Sequence, residues 1–222
     1  AGDDYAHVAL HQIHRVATGV AGRVQQLHRH PAEIEHLAIG HRHRIGPSLE
    51  VEPLGDHLGH RRPAGLVLTR QNVPTFERSP EHGGPVEGVA KGGYVLADSK
   101  SDSVDVILIA TGSEVQLAVA ARDQLEAAGI GTRVVSMPCT EWFEAQPQAY
   151  RDEVLPPSVQ ARVSVEAGIA QGWWKYLGTH GRAISLEHFG ASADAGTLFR
   201  EFGFTAEAIA TAAQESLAAT RG

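Results

Sequence analysis

Arg70 is the residue best suited to bind an anionic group. It follows the apolar run Gly65–Thr69 and opens a loop, the usual place for a binding residue. A guanidinium group offers a planar fork of donors and keeps its charge at any working pH. By itself, however, an isolated arginine is more often a solvated surface residue or a partner for a nearby carboxylate such as Glu77.

Three other sites carry groups with reactive or binding chemistry. The turn Thr111-Gly112-Ser113 begins a predicted helix, whose free N–H groups could hold an anion. One glycine is not the GxGxxG pattern of dinucleotide folds, so an ordinary turn with Ser113 as N-cap is favoured. Glu166 ends a predicted strand, where a carboxylate can be catalytic, but a structural role is favoured. Cys139 has no obvious base beside it and is predicted to be a packed thiol. We therefore assign no catalytic or cofactor-binding residue.

Histidine is concentrated at the start of the chain, where ten of the 13 histidines lie between His7 and His60. His11 and His14 share one helical side, and His28-Arg29-His30 places two imidazoles close together. Imidazoles bind Zn²⁺, Cu²⁺ or Ni²⁺. No cysteine pair or HExxH spacing supports a designed site, and the nearby arginines repel cations. Only adventitious surface binding is expected, and no metal site is assigned.

Composition excludes several classes of function. The net charge is -7, so no general basic surface for nucleic acid is expected. No run of about 18 apolar residues is present, so no membrane span is expected. Cys139 is the single cysteine, which excludes an internal disulfide and fits a cytoplasmic location. The chain shows no secretory signal and does not begin with Met, so we expect that it starts inside a longer reading frame.

The chain divides near residue 64. Residues 1–64 carry seven basic residues, all arginine, and seven acidic ones, so the whole net charge lies in the remainder. Apolar residues spaced by three and four predict a helix over residues 6–28. Repeated Gly and Pro predict loop over 29–64. Residues 65–91 are interpreted as a strand and linker, and residues 92–222 as a compact domain.

The second part alternates predicted strands and helices. The run Val106–Ala110 is continuously apolar, as in a strand that is covered on both faces. A helix from Thr111 to Ala128 follows, and Gly129 ends it. The remaining predicted strands are Gly93–Ala97, Thr132–Met137, Ala161–Val165 and Ala183–Leu186, and the remaining helices are Gly172–Leu177, Ala193–Phe202 and Ala206–Thr220, the last with Thr205 as N-cap. The pattern predicts a mostly parallel sheet with helices on both faces. Trp173, Trp174 and Tyr176 are predicted to be core or subunit-contact aromatics.

Residues from about Gly65 to Ser216, two thirds of the chain, resemble the C-terminal part of transketolase. Six blocks with this resemblance occur in order and at sensible spacing. They are Leu68–Asn72 (LTRQN), Gly92–Leu96 (GGYVL), Ile109–Val115 (IATGSEV), Arg133–Pro138 (RVVSMP), Val165–Gly168 with Trp174–Tyr176 (VEAG and WKY), and Phe189–Ala193 with Phe199–Thr205 (FGASA and FREFGFT). Residues 1–64 do not share it.

The resemblance implies a fold, an oligomeric state, a pair of cofactors and a reaction. The fold is the α/β C-terminal domain of transketolase, a five-stranded, mostly parallel sheet with helices on both faces, here preceded by an irregular His-rich segment. Transketolase is a homodimer that uses thiamine diphosphate and Mg²⁺ to move a two-carbon ketol unit between sugar phosphates in the pentose phosphate pathway. The block around Arg70 implies that this arginine binds the substrate's phosphate.

Several motifs of transketolase are missing from residues 1–64. Residues 1–64 lack a GEDGPTHQP-like stretch, the cofactor-activating glutamate and the GDG-type metal motif. We therefore expect no cofactor bound to this chain alone and no activity. Our hypothesis is that residues 1–64 are not native transketolase sequence and come from a shifted reading frame. If no frame of the coding DNA yields the missing motifs, that hypothesis fails.

Three alternatives stay open at this point. One is the equivalent domain of another thiamine-dependent enzyme, such as deoxyxylulose-phosphate synthase or a 2-oxoacid dehydrogenase β subunit. Another is a non-catalytic interaction or dimerisation module with a His-rich metal-binding arm. The third is a generic nucleotide-binding α/β domain, which the missing Gly-rich loop disfavours.

Overall fold

The computed structural model describes residues 6–8, 64–66, 69, 71–76, 84 and 86–222. In the first part, strands β1 (Ala6–Val8) and β2 (Ala64–Leu66) pair in parallel in a two-stranded sheet. The predicted helix over residues 6–28 therefore differs at its start, because β1 is extended there. Of the loop predicted at 29–64, Ala64 begins β2; residues 9–63 lie outside the described residues.

The main sheet has five strands in the order β3-β5-β4-β6-β7. The edge strand β3 runs antiparallel to β5, and the other neighbours pair in parallel. This arrangement confirms the predicted mostly parallel sheet. The five strands are β3 (Tyr94–Ala97), β4 (Val106–Ala110), β5 (Thr132–Ser136), β6 (Arg162–Val165) and β7 (Arg182–Ile184).

Strand β4 lies at the centre of the sheet, and all five of its residues are buried. Leu108 and Ala110 face one hydrophobic core, which helices α1 (Val115–Ala127) and α6 (Ala206–Arg221) cover. Ile107 and Ile109 face a second core on the other side. The short helices α2 (Thr140–Glu144), α3 (Gln148–Val154) and α4 (Trp174–Leu177) supply residues to that second core. Burial on both faces explains the unbroken apolar sequence of β4.

Side-chain caps fix the starts of the last two helices. Thr205 Oγ1 accepts a hydrogen bond from the backbone N–H of Ala208 at 3.1 Å, which confirms the predicted N-cap of α6. Asp194 caps α5 (Ala195–Glu201) in the same way, at 2.9 Å from Thr197 N. Each cap satisfies a backbone donor that the helix itself leaves unpaired.

The predicted N-cap at Ser113 is wrong. A short 3-10 helix (Gly112–Glu114) precedes α1, and no side chain caps either helix. Ser113 instead donates its hydroxyl to the Glu114 carboxylate at 2.8 Å. Gly112 has φ 64, a left-handed conformation that glycine adopts without strain, and it turns the chain sharply out of β4.

Helices α2 and α3 have no counterpart among the predicted elements. They have only five and seven residues, too few for a helical period to stand out in the sequence. Two further 3-10 helices occur at Val86–Lys91 and Ala170–Gly172. Among the described residues, no helix combines the length and the apolar character needed to cross a membrane.

Candidate functional site

The order in which the chain adds strands to the sheet changes direction beside β4. The chain passes from β4 to β5 on one side of it and then crosses to β6 on the other side. Helix α1 connects β4 to β5 over one face, and helices α2 and α3 connect β5 to β6 over the other. Strands β5 and β6 thus flank β4 on opposite sides. In open α/β sheets, ligands bind in the crevice at such a switch point, outside the carboxyl ends of the strands. The residues that follow β4 and β6 therefore form the candidate site.

The register of β4 with β6 places two of the candidate residues singled out from the sequence next to each other at this end of the sheet. Ala110 pairs with Val165, so Thr111 and Glu166 follow side by side where the two strands end. Thr111 is only 6% exposed, and its hydroxyl makes no hydrogen bond. An unpaired buried hydroxyl is uncommon in folded proteins.

Glu114 is a buried carboxylate on the same turn, with a relative exposure of 6%. Burial raises the pKa of Glu114 to about 7; the Ser113 hydrogen bond opposes this shift, and the charge of Glu166 adds to it. A group with this pKa exchanges a proton near neutral pH. Sequence reasoning missed Glu114 as a candidate, because its burial depends on packing between segments that are distant in the chain.

A hydrogen bond links Glu166 to the second core. Its Oε2 accepts a 2.6 Å hydrogen bond from the indole Nε1 of Trp173. Trp173 is buried, and its ring packs against Tyr176 with the centroids 6.0 Å apart. The Tyr176 hydroxyl donates to Glu144 at 2.8 Å, and burial raises the pKa of this tyrosine. These contacts agree with the structural role predicted for Glu166 and the core role predicted for Trp173 and Tyr176.

Cys139 lies buried at the start of α2, as expected for a packed thiol. Burial raises its pKa to about 11, and the neighbouring Glu141 carboxylate also disfavours the thiolate. Because the thiolate is the nucleophilic form, Cys139 is unreactive near neutral pH.

A shallow cleft of about 460 Å³ opens beside β7. Its lining comes from the segment after β6 and from β7 with its following loop: Ala170, Gln171, Trp174, Ala183, Ser185 and Glu187. The Glu187 carboxylate accepts a 2.8 Å hydrogen bond from Ala170 N, which joins the two walls. Sequence reasoning did not identify this cleft, since its walls meet only through the pairing of β6 with β7.

Several predicted site residues lie outside the described part of the chain. Arg70 is one of them, although Thr69 and Gln71 on either side are described and their side chains hydrogen-bond to each other. The histidines between His7 and His60 have no described side chains either. The role of Arg70 therefore stays a prediction.

The described residues hold no candidate metal centre. Within residues 86–222, and in the shorter described segments before them, no group of three or more His, Cys, Asp or Glu side chains could hold a metal ion. The carboxylates at the switch point are already engaged with Ser113 and Trp173. These residues do not fit a metal–diphosphate cofactor, and no reaction step is assigned to them.

Comparisons with known families identify the domain. The family model described as the transketolase-like TK C-terminal domain matches residues 92–205. The transketolase of Mycobacterium leprae is 61% identical over 158 residues, which cover 70% of this chain and 22% of that protein. The transketolase of Aquifex aeolicus is 53% identical over 148 residues, which cover 67% of this chain and 21% of that protein. The chain thus spans about a fifth of the length of the curated relatives it matches.

A solved structure gives the same result at the level of the fold. A complex of Pichia stipitis transketolase with sedoheptulose-7-phosphate aligns with a TM-score of 0.63 and 38% sequence identity. The alignment covers 72% of this chain and 22% of that one. Sequence and fold therefore agree on the same domain, and this agreement confirms the predicted resemblance.

Proposed function

Since this chain belongs to the transketolase family through its C-terminal domain, we propose that it is the C-terminal part of a ketol-transferring enzyme and is inactive by itself. The supporting observation is the match of residues 92–205 to the transketolase C-terminal domain, in a chain that covers 22% of a transketolase 61% identical to it. The other four fifths of such an enzyme have no counterpart here.

The cofactors of the reaction belong to the upstream part of the enzyme. Thiamine diphosphate supplies the electron sink for ketol transfer, and Mg²⁺ anchors its diphosphate. The described residues offer no oxygen-rich cluster for such a metal, and their buried carboxylate Glu114 already accepts a hydrogen bond from Ser113. The described residues therefore bind neither the metal nor the diphosphate, and the direct contact that this chain makes is with the substrate.

Arg70 is the residue through which this chain contacts the substrate. It sits in the LTRQN block, directly before the described segment 71–76 and upstream of the C-terminal domain. The substrates are sugar phosphates, and a guanidinium fork matches the phosphate oxygens in charge and geometry. The enzyme works as a homodimer in the cytoplasm, without nucleic acid or membrane partners.

A ketol-transfer assay tests this function. The purified chain is supplied with thiamine diphosphate, Mg²⁺, a ketose phosphate and an aldose phosphate, and intact M. leprae transketolase is the positive control. We expect no transfer by the chain alone and a folded core from about residue 92 onward in limited proteolysis. Transfer by the chain would show that residues 1–64 provide cofactor chemistry, and the proposal would be wrong.

A further inference from the structure

Phe76 attaches the segment that follows Arg70 to the C-terminal domain. Residues 71–76 form neither helix nor strand, yet the half-buried side chain of Phe76 packs against the hydrophobic core that α1 and α6 cover. We call this core the first core. Asn72, Pro74 and Thr75 in the same segment are exposed. The burial of apolar surface is the dominant favourable term in packing, so Phe76 fixes the position of this segment more than its exposed neighbours do.

The next described part of the linker lies directly against β3. The backbone N–H of Gly84 donates to the carbonyl oxygen of Leu96 at 2.7 Å. A Cβ atom at Gly84 would come within 1.9 Å of the Val95 carbonyl oxygen, and one at Gly88 within 2.6 Å of the Tyr94 ring. A side chain at either glycine would force the linker away from the strand. This part of the linker therefore belongs to the domain.

The Phe76 contact shortens the loop on which Arg70 lies. That loop begins after β2, which ends at Leu66, and with the contact in place it comprises residues 67–75. Without the contact, the loop extends to Gly84 and nearly doubles in length. The entropy of a loop grows with the logarithm of its length, so a near doubling lowers the population of any one loop arrangement about threefold.

The backbone between Arg70 and Phe76 is restricted as well. Pro74 has a fixed φ, and its ring keeps Val73 before it in an extended conformation. The Thr69 hydroxyl donates a hydrogen bond to the side-chain amide oxygen of Gln71, across the position of Arg70. A segment with these restrictions transmits the position of Phe76 toward Arg70 better than a flexible one would.

We propose that Phe76 is a positioning residue for Arg70: by packing on the first core, it pre-organises the loop on which this arginine meets the phosphate of the substrate. This inference rests on the proposed function, because it takes the phosphate-binding role of Arg70 from there. The guanidinium group supplies the contact, and Phe76 limits the conformations of the loop before the substrate arrives. Binding then costs less conformational entropy.

Trypsin tests the packing of Phe76 in the 222-residue chain itself. The enzyme cleaves after arginine, and Arg70 and Arg78 lie on either side of Phe76. Cleavage of a locally opened segment follows the population of the open form. The buried part of the Phe76 ring accounts for about 100 Å² of apolar surface, so we expect Phe76→Ala to accelerate cleavage at both arginines about 10- to 50-fold. Mass spectrometry of the fragments identifies the sites.

Phe199→Ala is the matched control. Phe199 is also half-buried and packs against the first core, but it lies on α5, far from the linker in sequence. This variant should lower the midpoint of thermal unfolding and leave cleavage after Arg70 and Arg78 unchanged. Equal acceleration in both variants would show a general loosening of the core. That result, or unchanged cleavage in Phe76→Ala, would overturn the proposal.

Steady-state kinetics tests the positioning of Arg70, in a chimera in which residues 65–222 replace the matching part of M. leprae transketolase. For Phe76→Ala we expect the KM for the ketose phosphate to rise about 3- to 10-fold, while kcat and the KM for an unphosphorylated ketose stay unchanged. Phe76→Leu keeps an apolar side chain for the core and should restore the KM. An unchanged KM for the ketose phosphate, or an equal rise for both ketoses, would show that Phe76 does not position Arg70.

Failure of this inference is distinct from failure of the proposed function. Ketol transfer by the isolated chain would contradict the proposed function and leaves the trypsin result untouched, because cleavage does not depend on catalysis. An inactive chain in which Phe76→Ala alters neither cleavage nor the KM of the chimera would contradict only the role of Phe76.

Discussion

The indole Nε1 of Trp173 donates a 2.6 Å hydrogen bond to Oε2 of Glu166. Glu166 is half-buried where β6 ends, and Trp173 directly precedes α4. This contact joins the carboxyl edge of the parallel sheet to the helix that covers its second core. Because Trp174, the next residue, is half exposed, two adjacent tryptophans have opposite roles.

Trp173→Phe should destabilise the domain, because it leaves a half-buried carboxylate without its donor. We expect a loss of about 1–3 kcal/mol in the free energy of unfolding. Urea denaturation followed by circular dichroism measures it. The matched control is Trp174→Phe, for which we expect a change within about 0.5 kcal/mol. Equal losses for the two variants would contradict the role given to the Glu166 contact.

Glu114 should make the stability of the protein depend on pH between acidic and neutral conditions. Its pKa is about 7 in the folded chain and about 4.3 in the unfolded chain. In this window the folded state holds the proton more tightly, so the free energy of unfolding falls as pH rises and levels off above pH 7. The loss attributable to this group is on the order of 3 kcal/mol.

Glu114→Gln isolates that effect from the other titrating groups. Glutamine keeps an acceptor for Ser113 and cannot ionise. The stability of this variant relative to wild type should therefore increase from pH 4.5 to pH 7, as measured by urea denaturation at a series of pH values. A stability difference that stays constant across the series would show that Glu114 is solvated and ionised throughout.

Gly93→Ala should destabilise the junction of β3 with the second core. A Cβ atom at this position would lie 2.5 Å from Met137 Sδ and 2.8 Å from Phe143 Cδ2, and both side chains are buried. Overpacking of this kind costs about 1–3 kcal/mol. Gly172→Ala is the control, since a Cβ there meets nothing within 4 Å. Thermal unfolding should show a lower midpoint for the first variant and an unchanged or slightly higher one for the second.

Arg70→Ala should weaken the binding of sugar phosphates in a chimera in which residues 65–222 replace the matching part of M. leprae transketolase. The loss of a charge-assisted contact to phosphate should raise the KM for the ketose phosphate by about 10- to 100-fold. The control is Arg200→Ala, which removes an exposed arginine on α5. Steady-state kinetics with phosphorylated and unphosphorylated ketoses separates the outcomes. An equal rise in KM for both substrates would show that Arg70 does not contact the phosphate.

The sheet and the longer helices of residues 92–222 could be predicted largely from the sequence. The apolar run Val106–Ala110 and the residues around Thr205 carry information that is local, because burial on both faces and helix capping depend on adjacent residues. The ordered blocks from LTRQN to FGFT predicted the family, and the comparisons confirmed it. The short helices α2 and α3 were missed because five to seven residues hold less than two helical periods.

The sequence by itself determined the strands, the longer helices and the family of this protein, since each depends on a local pattern. Only the tertiary structure decided which side chains meet at the end of the sheet. Thr111 and Glu166 lie 55 positions apart and become neighbours through the register of β4 with β6. Glu114 is buried and Phe189 is exposed to solvent for the same physical reason. Solvent exposure is set by packing between distant segments, and no local pattern encodes it.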